Sequence, residues 1–442
     1  MRVLALLLTL TLLMTGCAAN PDIAPAEPSW HMGFGSARVA IPDADEPLYI
    51  AGYRNGRTIT GVLDNPLARA VWMDCGGDGI LFLVIDCVGL TSDWVKLIRA
   101  RVGEFCDGAV NVISTHTHAG IDTMGLWGPI AMEGKNAAFM ENLLDAAVEA
   151  ARTAIADRRS GTLAYAAVPT EGMQRDSRDP QVYDTNLYQL RFEPETGDGI
   201  RLMLYAAHAE SLRGDNTMVS ADYPGVMADI IKAETGDDCV YMPGAIGGLI
   251  MTVELAEPFD AAENLRLTGE RLAEYALSAE FTPVEPFFEW QQVAFDIPMD
   301  NMLFRYYKFL GILQSDMHRR FFGGYSVTTE LTAVRMGGLT LALLPGEIFP
   351  ELVYGGALGD GNPQPLGDIA AGYGAGKLLI AGLANDEIGY IVPPGDFLLD
   401  DTLPWIESAD GHYEETNSVG AEAASCVAEA FAKALEGLYG EE

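Results

Sequence analysis

The stretch Ala109-Val-Asn-Val-Ile-Ser-Thr-His116-Thr-His118-Ala-Gly120 decides how the rest of this chain is read. Its first five residues are apolar or β-branched for the most part and read as a short buried strand. Along a strand, residues two apart share a face, so His116 and His118 are expected to emerge side by side where it ends. The whole chain holds only six histidines, and two of them stand here. Neutral imidazole is a preferred zinc ligand, and a His-x-His pair at a strand end often opens a catalytic site. Two such histidines can equally be satisfied polar residues beneath a loop.

Outward from this strand, similar apolar runs recur at 70–73, 80–85, 187–192, 201–207, 240–242, 293–297, 328–336, 340–344 and 377–382. Helical periodicity separates them at 92–105, 133–157, 223–235, 258–280 and 421–438, with Ser92-Asp93 placed to cap the first helix and Gly108 after its end. The alternation predicts an α/β fold, a layered mixed-sheet single large catalytic domain over residues 31–442. Gly372-Tyr-Gly-Ala-Gly-Lys377 looks phosphate-binding. However, Ala371 holds the first glycine position of a P-loop and Leu378 replaces the hydroxyl that would hold magnesium, so a tight turn is expected.

The amino terminus reads as an export signal over residues 1–16: Arg2, then an apolar run from Val3 to Met14, too short to span a bilayer. Leu13-Met-Thr-Gly-Cys17 resembles the lipobox of bacterial lipoproteins, which implies cleavage before Cys17, lipid on its thiol and a membrane-anchored envelope protein. Residues 17–30, with three prolines, read as a tether. Five cysteines remain after Cys17, an odd number without a C-x-x-C pair, which fits buried free thiols better than a thiolate metal site.

Apolar residues make up 49% of the chain, enough for a large core. The 63 acidic residues against 27 basic ones give a net charge of −36, which repels nucleic acid and anionic headgroups alike.

Other segments set polar residues after apolar runs or turns. Arg201-Leu-Met-Leu-Tyr-Ala-Ala207 leads into His208, and Leu341-Ala-Leu-Leu-Pro-Gly346 into Glu347, a carboxylate that could also cap the helix after it. Gly382-Leu-Ala-Asn-Asp-Glu-Ile-Gly389 leads into Tyr390, and Gln174-Arg175-Asp-Ser177 puts an arginine in a polar loop. Leu303-Phe-Arg-Tyr-Tyr-Lys-Phe309 and Arg320-Phe-Phe-Gly-Gly-Tyr325 are aromatic segments suited to core packing, a helix face or an apolar channel.

Taken in order, these motifs resemble the catalytic domain of the neutral (non-lysosomal) ceramidases, from Gly33-Phe-Gly-Ser-Ala-Arg-Val-Ala-Ile-Pro42 to about Ala421. Ser220-Ala-Asp-Tyr-Pro-Gly225 and Tyr413-Glu414 belong to the likeness as well. The resemblance implies a zinc-dependent amidohydrolase acting on a ceramide-like or other N-acyl substrate through a metal-activated water. It implies Zn2+ held by His116, His208, Glu347 and Tyr390, with His118 as the acid–base or oxyanion-contacting histidine and Arg175 and Tyr413 along the scissile amide. The chain departs from the family where a Gly-Asp-x-Ser-Pro motif is expected: it runs Gly244-Ala245-Ile246-Gly247-Gly248, with Gly247 in place of the serine. The family's immunoglobulin-like C-terminal domain is not expected either.

Two other readings stand beside this one. Ser220 with Asp222 and a histidine would make a serine esterase, although the Gly-x-Ser-x-Gly elbow is lacking. Loss of the serine motif would also suit a catalytically inactive lipid- or glycan-binding envelope protein. Oligomeric state is not readable from the sequence.

Overall fold

Ile80–Ile85 is apolar at every position because both of its faces are covered. Ile80, Phe82 and Val84 point into one hydrophobic cluster, and Leu81, Leu83 and Ile85 into another. That alternation fixes the layering of the molecule. A computed structural model describes residues 28–43 and 46–440. The signal at 1–16, Cys17 and nearly all of the tether lie outside the described residues.

The larger sheet has nine strands. Its path runs Asp238–Pro243, Ile200–Tyr205, Asn186–Pro194, Arg159–Pro169, Trp30–Arg38, Leu67–Asp74, Ile80–Ile85, Ala109–Ser114, with Thr282–Val284 added beside Arg159–Pro169. A second sheet of five strands is ordered Phe288–Pro298, Tyr325–Met336, Leu339–Leu343, Lys377–Ala381, with Met317–Arg319 beside Tyr325–Met336. The inner faces of the two sheets share one core, where Phe82, Leu190 and Leu202 meet Val334, Leu341 and Leu379. Helices Ser92–Val102 and Ala137–Ala156 cover the outer face of the larger sheet at one end, and Tyr223–Thr235 and Ala261–Leu277 cover the other. Helix Ala423–Tyr439 covers the outer face of the smaller sheet. The fold is therefore a layered α/β arrangement with mixed sheets, as the strand–helix alternation predicted, but built on two stacked sheets rather than one. No helix among the described residues is long and apolar enough to cross a membrane.

Most pairings are antiparallel. The exceptions within the two sheets matter: Ala109–Ser114 pairs parallel with Ile80–Ile85, Ile200–Tyr205 with Asp238–Pro243, and Leu339–Leu343 with Lys377–Ala381. Carboxyl ends of parallel strands open crevices where ligands bind. Here the ends of these strands meet across the two sheets. Ser114 N donates to Leu383 O at 3.1 Å, and Gly382 N donates to Pro243 O at 2.9 Å. Asn385 locks the junction, its Oδ1 accepting from Val112 N at 2.9 Å and its Nδ2 donating to Asn111 Oδ1 at 2.8 Å.

Local details correct several expectations. Trp30, the last residue assigned to the tether, begins a strand, and its buried indole donates to Val284 O at 2.9 Å. The first helix is capped not by Ser92-Asp93 but across the chain, with Asp386 Oδ1 accepting from Ser92 N at 2.8 Å. Gly372 ends a short helix, and Gly374 makes the expected turn at φ +67°. The cysteines at 75, 87, 106, 239 and 426 are all free.

Candidate metal centre

His116, His208, Glu347 and Tyr390 each follow a parallel-paired strand, those at 109–114, 200–205, 339–343 and 377–381, so the sheet junction gathers them at one place. The histidine pair arrives by an unexpected route. The strand ends at Ser114, and His116 takes φ 60°, a left-handed conformation unusual for a side chain this large. The kink re-aims the chain so that Thr117 bridges Ala209 and His118 N donates to Ala209 O at 3.0 Å. His116 and His118 therefore do lie side by side, with 3.2 Å between their Nε2 atoms, through a strained turn rather than a pleat.

The hydrogen bonds determine which ring atoms are available. His116 Nδ1 donates to Val88 O at 2.6 Å and His208 Nδ1 donates to Ile250 O at 2.7 Å. A carbonyl can only accept, so both neutral rings carry their proton on Nδ1 and turn a bare Nε2 inward. His118 differs: its Nδ1 faces Glu210 Oε2 at 3.3 Å without forming a hydrogen bond. Glu210 in turn accepts from Tyr53 Oη at 2.6 Å. Ligand atoms of all three histidines fall within 4.8 Å of one another. Glu347 joins them, its Oε2 lying 2.9 Å from His208 Nε2 and 3.4 Å from His116 Nε2.

A bare Nε2 facing a carboxylate oxygen at 2.9 Å places two acceptors against each other. Only a proton or a metal cation between them relieves that clash. Without a metal the proton takes the place: burial works against a charged His208, yet Glu347 outweighs it and pushes the ring up to about 9. His116 is also raised, Glu347 again overcoming burial. Glu347 is driven far down, the two histidines overcoming its own burial. His118 behaves oppositely: burial lowers it to about 4, so it stays neutral. Glu210, despite burial, is held down at about 2, chiefly by His118. The donor set, the outward-tied Nδ1 atoms of His116 and His208 and the buried Glu347 carboxylate fit a divalent cation.

The remaining expected residues fall around this cluster. Tyr390 is buried beside Glu347, its strand Tyr390–Ile391 pairing with Glu347–Ile348, and burial together with Glu347 holds its phenol protonated. Tyr413 sits at the cavity, half-exposed, its ring 6.4 Å from that of Tyr390. Glu347 does not cap the following helix, since its carboxylate faces the histidines. Arg175 is exposed, its guanidinium 3.8 Å from Met251 Sδ, and it does not line the cavity. Gln174–Arg175 is a short strand paired with Met251–Thr252 rather than a loop, and the buried arginine is Arg178, which binds Glu414, Glu415 and Asp396 and so ties down the segment carrying Tyr413.

The serine-esterase arrangement is not formed. Ser220 Oγ donates to Asp64, while Asp222 caps helix Tyr223–Thr235 and accepts from Ser211. Neither meets a histidine. Gly247 has no room for a serine, because an added Cβ would run into Phe349 and the Ile348 carbonyl carbon.

Some supporting residues escaped the sequence reading. Gly52 lies flat against the His118 ring, where any Cβ would strike it. Arg57 donates to His118 O at 3.0 Å. Asp386, buried, and Glu387, partly buried, line the cavity, each with one carboxyl oxygen that has no partner among the described residues. The only advance signals were spacing ones, Glu210 two residues after His208 and the acidic pair just before Tyr390.

Burial pushes Asp386 up to about 7, well above its ordinary range near 4. A raised carboxylate favours folding below the unfolded pKa and loses that contribution as pH rises through the folded one. Asp386→Asn should therefore remove a stability loss of about 1.4 kcal/mol per pH unit between roughly pH 4 and 7. Denaturant unfolding of the variant and the parent across that window measures the difference in slope.

A cavity of about 100 Å3 opens from the cluster. Away from the histidines and carboxylates its walls are largely apolar, among them Met124, Trp127, Met299, Phe304, Leu313 and Val327.

No family model matches the sequence, and no curated protein does. Solved structures do match in three dimensions. The crystal structure of neutral ceramidase from Pseudomonas aeruginosa aligns with a TM-score of 0.72 at 15% identity, over 93% of this chain and 75% of that one. A ceramidase complexed with C2 aligns equally well, at TM-score 0.72 and 14% identity over the same shares. The chain has the neutral ceramidase fold.

Proposed function

We propose that the chain is a zinc-dependent hydrolase of the ceramidase type that cleaves the amide bond of a ceramide-like or other N-acyl substrate. The observation that carries this reading is the convergence of the bare Nε2 atoms of His116 and His208, the His118 ring and the Glu347 carboxylate at one end of a largely apolar cavity. His116, His208 and Glu347 are the core of the ion's ligand set, with Tyr390 beside them. Zinc held there would polarise the amide carbonyl and bring the pKa of a water toward ~7. His118, neutral and oriented by Glu210, carries a proton between the attacking water and the departing amine. Tyr413 and the apolar walls orient the two arms of the substrate.

No protein nucleophile is required, which agrees with glycine at 247. The export signal and lipobox would hold the enzyme on the envelope side of a membrane. A screen of N-acyl amides of graded acyl length tests the reading. Turnover should disappear with a chelator and return with zinc. Turnover indifferent to chelation would contradict it, and bound metal without turnover on any amide would favour the inactive lipid-binding descendant.

A further inference from the structure

The two aromatic segments singled out in the sequence serve the cavity on one side and solvent on the other. Helix Met302–Phe309 turns Phe304 into the cavity wall while Phe309, on the same helix, is 85% exposed. The hairpin from Met317–Arg319 to Tyr325–Met336 turns Val327 into the cavity, and at its tip Phe321 and Phe322 are 94% and 97% exposed, their ring centroids 5.0 Å apart. The loop after Trp127, itself a wall residue, exposes Ile130 and Met132. Lys135 Nζ donates to Ile312 O at 2.8 Å, which ties that loop to the helix–hairpin segment.

Charge on this segment reverses the sign of the whole. Residues 301–325 hold Arg305, Lys308, Arg319 and Arg320 against Asp316 alone, in a chain of net charge −36. Lys308 lies 3.7 Å from Asp93 and His318 lies 3.6 Å from Asp296, whereas Arg305, Arg319 and Arg320 form no ion pair among the described residues. Exposed aromatics beside unpaired arginines suit a surface that is negative outside and apolar just beneath. A second copy of this chain is a poor occupant, because a two-fold contact would set the same arginines against each other.

We propose that Phe309, Phe321 and Phe322, flanked by Arg319 and Arg320, form a docking surface for an anionic lipid bilayer, set on the elements that wall the cavity. The amide-hydrolase reading gives this surface its purpose, delivery of an amphipathic substrate from the bilayer. The general repulsion expected from the acidic composition is overcome locally by this patch.

Co-sedimentation of the full chain with vesicles tests it, using phosphatidylcholine alone and phosphatidylcholine mixed with phosphatidylglycerol. Parent and variants share the same amino-terminal segment, so any anchor contributes equally to both. The parent should partition more strongly onto the anionic vesicles at low salt. F321S/F322S should lose about ten-fold or more on them, and R319E/R320E should bring partition down to the neutral-vesicle level. Near-UV circular dichroism identifies variants that keep the native packing. Parent-like binding by F321S/F322S overturns the proposal, as does a variant that loses self-association while its vesicle binding is unchanged. Binding is read without turnover, so an inactive chain that docks would fail only the hydrolase reading. An active chain indifferent to vesicles would fail only this one.

Discussion

His116→Ala is expected to abolish chelator-sensitive amide hydrolysis and to lower metal affinity by more than about 100-fold, beyond the range typical for losing a supporting residue. The variant removes one inward Nε2 and leaves Glu347 with a single close imidazole, that of His208. The fold should survive, because the sheet junction is held by backbone pairs and by Asn385 rather than by the His116 ring. Far-UV circular dichroism together with metal analysis separates the two effects. His118→Ala refines the assignment. If His118 only carries a proton, that variant keeps the ion and loses turnover, whereas loss of both makes His118 a ligand.

The second large effect concerns Arg178, outside the cavity lining but fixed to the segment that presents Tyr413. Its guanidinium reaches Glu414 at 3.1 Å, Glu415 at 2.8 Å and Asp396 at 2.7 Å, with the first two carboxylates almost fully buried. Arg178→Ala leaves those carboxylates without their counter-ion, and breaking such a buried set costs about 3–5 kcal/mol. Denaturant unfolding should show a loss of that order. Arg178→Lys should recover only part of it, since a lysine ammonium cannot fork between carboxylates as guanidinium does. A loss below about 1 kcal/mol for the alanine variant would mean that the cluster behaves as an exposed surface network.

Much of this architecture was legible where one local pattern settled the matter. Ile80–Ile85 and Tyr223–Thr235 fall where apolar run length and helical period put them. Trp30–Arg38 did not read as a strand because Gly33 and Gly35 are poor strand formers. They are glycines because helix Ala137–Ala156 packs its backbone against them, and a Cβ at either would strike Ala154 or Ala150 carbonyls. That is a tertiary requirement with no local signature. Arg159–Pro169 is hidden for a related reason, its alanines fitting helix as well as strand.

At the site, the residue types carried the information and the geometry did not. His-x-His signalled a pair, but the left-handed turn at His116 aims it onto Ala209, 93 residues along. Arg175 and Arg178 stand three residues apart, and only the carboxylates brought from 396–415 decide which is buried. The exposed Phe321-Phe322 tip could not be told from core aromatics, because composition is silent about which side of a hairpin faces water.

The proposed hydrolase requires one divalent cation shared by side chains that follow strands far apart in the chain. Elemental analysis of the purified chain, paired with X-ray absorption at the metal edge, measures it most directly. One zinc per chain is predicted, with a nitrogen- and oxygen-rich shell containing at least two imidazoles. A chain that takes up no zinc from buffered solution, or zinc that remains after both His116 and His208 are replaced, would contradict the account.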